Sequence, residues 1–539
     1  MTSEPTSSAT STLYRGGAVH SPADPFATAM IVEDNRIAWI GSEEAAARHE
    51  DGVDTVVDLD GALVTPTFVD AHVHTSGTGL ALRGVDLSEV RSLDEALTKI
   101  EDGARKRLGR PVYAHSWDED SWRSEQRPPT VQELDRATYG SVVYVPRVDG
   151  HSAAISSALA AASGARNLPG WNDSGLVTRE AHHAARDAFR DSISPTDRRA
   201  DIDAALTAAA AAGIGLVHEN AGPHLSSAQD LADVLAAGER GDGPQVIGYW
   251  AELVADEAEA RELAAQHGVK GLAGDLNVDG SIGSRTAFLR APYADGHDAR
   301  EGHGSSHHGN AYLTVDQVRD HVAACSLAGI QAGFHVIGDA GADTVVQGMQ
   351  AAARMIGVAR VVAARHRLEH LEMVDAEGIK ILVELGVTAS VQPSFDAAWG
   401  GPQGMYAARL GPDRVAGMNL FATMAAAGLS MAFGSDTPVT PFAPWQAIRA
   451  AAFHHEPSQR IDAEAAFLAH TRGGWRAAGI DDRGYLDLGQ PASFAVWSLD
   501  NGSRPGATGL SDLSPGATLP INLRTVIRGR TVFDRGALT

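Results

Sequence analysis

Leu63-Val64-Thr65-Pro66-Thr67-Phe68-Val69-Asp70-Ala71-His72-Val73-His74 is an apolar run that ends in two histidines one residue apart. Successive side chains of a β-strand point to opposite faces, so His72 and His74 share one face at a strand's end. Two imidazoles side by side are well placed to hold one divalent metal. The pair raises the question of where the remaining ligands lie.

Further along, four Ala-rich helical segments each lead into an apolar strand. Helix 202–212 leads into 213–218, 315–328 into 330–336, 375–385 into 387–391, and 420–427 into 429–433. Such units read as parallel βα architecture. The 35 residues from His335 to His370 suit one repeat. The expected fold is α/β, a (β/α)8 TIM barrel, whose core needs ~250 residues and whose active site lies at the C-terminal strand ends. A doubly wound sheet is the alternative, but no Gly-rich phosphate loop opens these units. Short strands with turns at 13–63 and again near the C-terminus predict a composite β-sandwich domain, 13–63 plus 486–539, around a barrel of 64–485. Residues 1–12 read as a disordered tail. The aromatic, Pro-rich stretch of about 85–200 reads as a large insertion after the first barrel strand, of the kind that shapes a pocket mouth.

His335, His370 and Asp436 also fall at predicted strand ends. With 22 His in the chain a single one carries little weight. Four His and one Asp brought to one rim by barrel closure carry much more. That donor set suits Zn²⁺, with Fe, Mn or Co as alternatives. Cys325 is the only cysteine, so a thiolate cluster and an intrachain disulfide are excluded. A formal charge of −24 opposes binding to nucleic acid or an anionic membrane. The low-polarity run 415–434 is interrupted by Asn419, Thr423 and Ser430 and divided by Gly428, so it reads as helix plus strand rather than a membrane span. The N-terminus has no secretory h-region, and the expectation is a cytoplasmic protein acting on a small molecule, with a homodimer as the prior.

The run Pro66–His74 resembles the first-strand signature of the amidohydrolase superfamily. Asp279-Gly280-Ser281-Ile282-Gly283-Ser284-Arg285-Thr286-Ala287, followed by Pro292-Tyr293, resembles its YtcJ-like branch (amidohydrolase family 3), which includes N-substituted formamide deformylases. His335-Val336-Ile337-Gly338-Asp339, Arg365-His366-Arg367-Leu368-Glu369-His370, Gly434-Ser435-Asp436-Thr437-Pro438-Val439 and Arg147-Val148-Asp149-Gly150-His151 continue the likeness over roughly residues 15 to 535. The resemblance implies a TIM barrel, the composite sandwich and metal-dependent hydrolysis. Many members carry a carboxylated, metal-bridging lysine four residues before the Asp-Gly; here Asp275 stands there. One metal on His72, His74, His335 or His370, and Asp436 is the expectation. Two ions is the alternative, with Asp275 as a bridging or terminal carboxylate; Asp275 reads equally as a residue behind the ligands or a structural one.

The implied reaction is cleavage of a carbonyl C–N bond in a small amide, formamide or carbamate. Asp436 moves the proton, and His370, where it is not a ligand, polarises the carbonyl. Asp279 and Arg285 are candidates for holding the mouth of the fourth strand or for binding substrate, with a buried ion pair an equal reading. His151 and Trp117 are candidates for the pocket lining, with core packing the stronger reading for Trp117. One rival is a heterocycle deaminase. Such enzymes usually carry Glu three residues after the fifth-strand His, where this chain has Gly338. A non-catalytic binding barrel would have lost the metal ligands, which are all present here.

Overall fold

Phe68–Val73 forms strand β1 of the barrel, with all six residues buried. In the computed structural model it is followed by β2 (Ile214–Ala221), β3 (Gln245–Trp250), β4 (Gly271–Leu272), β5 (Gln331–Val336), β6 (Arg367–His370), β7 (Thr388–Val391) and β8 (Ser430–Phe433). The structure describes residues 10–538 except 118, 120, 121, 124, 148–151, 224, 296–306 and 500–508. The eight strands lie in chain order and every neighbouring pair is parallel. Val73 bridges Thr437, Asp436 N–H donates to His72 O at 2.9 Å, and His74 N–H donates to Thr437 O at 3.1 Å. Those bonds join the two ends of the sheet. This is the expected (β/α)8 arrangement.

Local chemistry sets the helix limits. A reciprocal capping box of Thr314 and Gln317 starts helix Val315–Ala328, and left-handed Gly329 stops it just ahead of β5. Asp256 caps Glu257–His267, which Gly268 ends before β4. Gly428 ends Phe421–Ala427 before β8. No described helix is long and apolar enough to cross a membrane.

Both chain ends contribute to two further sheets. One orders Arg36–Gly41, Ala29–Glu33, Ser11–Arg15 and Thr55–Asp58; the other orders Ala18–Val19, Leu63–Pro66, Phe494–Ser498, Ile521–Ile527 and Arg530–Asp534. Tyr14, Met30, Val64, Phe494 and Val526 share one buried cluster, so N- and C-terminal strands are built on a common core. The first strand begins at Ser11, where Ser11 and Thr12 pair with Glu33 and Val32, so the segment expected as a tail is in part a strand.

Residues 75–205 form a compact unit of their own. Its sheet orders Leu176–Thr178, Ser152–Ile155, Val143–Pro146, Val112–His115 and Val85–Asp86. Trp117 is fully buried there, beside Trp122, and its indole N–H donates to Val145 O at 3.0 Å. The pocket role considered for Trp117 is therefore corrected: it packs the core of this unit. His182 is also buried and bonds Tyr144 Oη at 2.7 Å.

Behind the barrel wall, His366 accepts from Ala332 N–H at 2.9 Å through Nδ1 and bonds Ser326 Oγ at 2.9 Å through Nε2. Burial, with the nearby His321, lowers its pKa to about 3. The neutral imidazole thus stabilises the fold fully above ~6.5, and that contribution falls as pH drops from there toward the folded value. Between about pH 7 and about pH 5 the wild type should lose about 2 kcal/mol more stability than His366→Gln, read from urea unfolding. Identical losses would refute the buried neutral state.

Candidate metal centre

His72 lies in β1 and His74 directly after it, His335 lies in β5, His370 ends β6, and Asp436 follows β8 by three residues. The structure brings all five together with Asp275, which follows β4. His370 and Asp436 have φ of 68° and 55°, left-handed values that non-glycine residues rarely adopt. Such strain persists only where the surroundings impose it, and both residues turn into the same centre.

Asp275 occupies the middle. Its Oδ1 is 3.4 Å from His72 Nε2, 3.5 Å from His335 Nδ1 and 3.7 Å from His370 Nε2, while its Oδ2 is 3.2 Å from His74 Nε2. Asp436 Oδ1 is 3.5 Å from His72 Nε2 and 3.2 Å from His74 Nε2. Ligands held at 2.0–2.1 Å around a tetrahedral ion stand about 3.3 Å from one another, so these are the spacings of neighbouring ligands. The donors fall into three overlapping groups: His72, His370 and Asp436; His72, His74 and Asp275; and Asp275, His335 and His370.

The outward ring nitrogens decide what the inward ones can do. His72 Nδ1 donates to Glu369 Oε2 at 2.9 Å, His74 Nδ1 to Asn220 O at 3.0 Å, His370 Nδ1 to Gln392 Oε1 at 2.8 Å, and His335 Nε2 to Gly280 O at 3.4 Å. Each imidazole thereby presents a lone pair to the centre, the tautomer a metal requires. His72 Nε2 and Asp275 Oδ1 are buried with no hydrogen-bond partner among the described residues. Unpaired buried polar atoms are costly, and a bound cation satisfies both at once. The residues fit a divalent metal.

Burial disfavours a charged His72, but Asp275 and Asp436 outweigh it and hold the metal-free imidazole up to about 10. Burial likewise works against an ionised Glu369, yet the Arg367 guanidinium and His72 beside it hold its carboxyl below the usual range. Arg367 and Glu369 are both fully buried. Sequence reasoning passed over Glu369 and Gln392. Two opposite charges on one face of the short strand Arg367–His370 were the available signal for Glu369.

Asp70 braces the rim: its Oδ1 accepts from Ser435 N–H at 2.8 Å and His72 N–H at 3.3 Å. Gly434 makes the approach of β8 to β1 possible, since a Cβ there would lie 2.6 Å from His72 N. Asp279 needs correction as a substrate-binding residue. It is fully buried and accepts from the N–H groups of Gly338 at 2.7 Å, Phe288 at 2.8 Å and Ile337 at 2.9 Å. Burial pushes its carboxyl up to about 6, with His335 and those N–H groups pulling the other way. Its role is to clamp the loop after β4 to the end of β5. The ion pair considered for Asp279 and Arg285 is not formed. Arg285 instead pairs with Asp295, at 2.9 Å from Nη2, and Asp295 also holds Arg409. His307 and His308 bond the carbonyls of Arg285 and Leu289. His218, inside β2, accepts from Arg367 within the barrel. His151 lies outside the described residues.

A putative amidohydrolase, YtcJ, of Bacillus subtilis is 27% identical, with 94% of this chain and 96% of that protein aligned. An N-substituted formamide deformylase of Arthrobacter pascens is 25% identical over 94% of this chain and 95% of its own length. The crystal structure of an uncharacterised metal-dependent hydrolase from Pyrococcus furiosus superposes with a TM-score of 0.73 at 23% identity, covering 90% of this chain and 98% of that one. Residues 55–533 match the model of the amidohydrolase family. The chain belongs to that family and is a hydrolase acting on carbon–nitrogen bonds other than peptide bonds.

Proposed function

We propose that the protein hydrolyses the carbonyl C–N bond of a small amide, with an N-substituted formamide as the first substrate class and carbamates next. The observation that carries this reading is Asp275, whose two carboxylate oxygens lie 3.2–3.7 Å from four inward-facing imidazoles. That placement favours two ions, zinc by donor type, which His72, His74, His335, His370, Asp275 and Asp436 would hold. The single-metal expectation gives way to this one. Divalent ions bound there would supply Lewis acidity toward the carbonyl and a water of lowered pKa.

The chain's own groups do the rest. Asp436 stands at the rim with Oδ1 toward His72 and His74, where its carboxylate takes the proton of the attacking water and returns it to the departing nitrogen. Glu369, Asn220, Gln392 and Gly280 hold the four imidazoles in register. The likeness to an N-substituted formamide deformylase supports formamides as the first substrates to try. Heterocycle deamination is disfavoured, because a side chain at position 338 has no room. A Cβ on Gly338 would lie 2.1 Å from Phe288 O, so the glutamate such chemistry uses cannot be accommodated there.

Elemental analysis of the purified protein should find two divalent ions per chain, and one or fewer in Asp275→Ala. Equal metal content in both would remove Asp275 from the centre. On N-substituted formamides, Asp436→Asn should lower kcat by about 10²–10⁴-fold, the range for losing a general acid–base group. An unchanged rate would end the assignment of Asp436, and no hydrolysis by wild type across formamides, amides and carbamates would end the functional reading. Glu369→Gln should weaken metal affinity by about 10–100-fold in a chelator competition. Unaltered affinity would show that Glu369 does not set the His72 ring.

A further inference from the structure

A second cleft, of about 370 Å³, opens at the other end of the barrel. Pro66 and Thr67, which precede β1, and Gln245, which opens β3, form its floor together with Trp475. Six residues of β1 separate this floor from the metal-centre end, roughly 20 Å along an extended strand. The opposite wall comes from the terminal strands and the segment that leads back to them, with Arg36, Arg483, Tyr485 and Arg528.

The charge of this lining is unlike the rest of the chain. The protein has 68 acidic residues against 44 Lys and Arg, yet the cleft is lined by Arg36, Arg483 and Arg528 and by no carboxylate among the described residues. Arg36 Nη1 donates to Gly489 O at 2.5 Å, and Arg483 pairs with neighbouring Asp482 at 2.6 Å, which fixes both guanidinium groups. Arg528 differs: its guanidinium has no hydrogen bond or ion pair among the described residues. Its backbone is held instead, with φ of 50° and its N–H donating to Ser493 Oγ at 3.0 Å. An arginine in a tight hairpin turn, where Asn or Gly is the unstrained choice, costs stability and supplies a charge at the cleft. Trp475 and Tyr485 add flat aromatic surface, and Gln490 Nε2 donates to Tyr485 Oη at 3.2 Å, which fixes the phenol.

We propose that this cleft is a second binding site, for a small molecule that joins an anionic group to a planar ring. Guanidinium groups recognise carboxylate or phosphate oxygens in a planar fork, and the indole and phenol give the ring a surface to stack on. The volume falls in the range of small-molecule sites. Such a ligand touches both the barrel floor and the terminal strands, so its binding stabilises their union.

The test uses the full-length, metal-loaded protein, titrated calorimetrically with phenyl phosphate, inorganic phosphate and phenol. Phenyl phosphate should bind at least about tenfold more tightly than either fragment and raise the Tm. Arg528→Ala and Arg483→Ala should each weaken it by about tenfold or more while leaving amide hydrolysis unchanged. Asp436→Asn, at the far end of the barrel, should bind it as wild type does. Absence of binding, binding indifferent to both arginine substitutions, phenol or phosphate binding as tightly as the joined molecule, or binding lost in Asp436→Asn would each overturn the proposal.

Discussion

A guanidinium and a carboxylate with no solvent contact lie in the barrel interior just below the metal centre, and the centre depends on them. Burying two charges costs several kcal/mol per ion unless every remaining donor and acceptor is met. Arg367 meets them by reaching around the barrel. Its Nε contacts Glu369 Oε1 at 2.5 Å, its Nη1 donates to His218 on β2 at 2.9 Å, and its Nη2 reaches Ala71 O on β1 at 2.6 Å and Ser390 Oγ on β7 at 3.1 Å. The guanidinium lies 4.3 Å from the ring centroid of Tyr249 on β3. One side chain thus ties five strands, and the carboxylate it holds fixes His72. Truncating either partner would leave the other charged and unpaired, which is why the pair acts as a unit.

The rim above is built on the same plan, carboxylates gathering backbone N–H groups where strands end. Asp70 gathers those of His72 and Ser435 and thereby sets β1 against β8; Asp279 gathers three from the β4 loop and the β5 end. Both carboxylates are buried. Both are rigid braces that let His370 and Asp436 hold left-handed backbone at the centre. Division of labour among chemically identical side chains follows from their surroundings: Asp70 and Asp279 are satisfied by amides, whereas Asp275 and Asp436 face imidazole nitrogens.

What could be read from sequence follows the same physics. β1, β2, β5, β7 and β8 were legible because each is an apolar run entered from an Ala-rich helix or closed by a His-x-His, and strand alternation alone places His72 and His74 together. β4 was not, because two residues, Gly271 and Leu272, show no periodicity. The histidines and Asp436 were legible as donors at strand ends. Glu369 was not, since its importance comes from a contact with His72 across 297 residues of chain. Asp279 and Arg285 looked like partners because they are near neighbours of opposite charge, but three main-chain donors outcompete one guanidinium for a buried carboxylate, and Arg285 turns to Asp295. Core packing was the stronger reading for Trp117, and its burial agrees.

The brevity of β4 has a consequence for the centre. A lysine that carries a carboxylate at its tip reaches a metal from a distant backbone; an aspartate is several bonds shorter and needs its main chain brought inward. Here the strand stops at Leu272 and left-handed Gly274, with φ of 89°, turns the chain toward the barrel axis. A Cβ at Gly274 would lie 2.7 Å from Asn220 Oδ1, so only glycine permits this approach to β2. Asn220 belongs to the same arrangement, since its carbonyl receives His74 Nδ1. The short strand, the glycine and the aspartate therefore form one structural solution. Lengthening the side chain at 275 without withdrawing the backbone would drive its terminus into the imidazoles rather than between them.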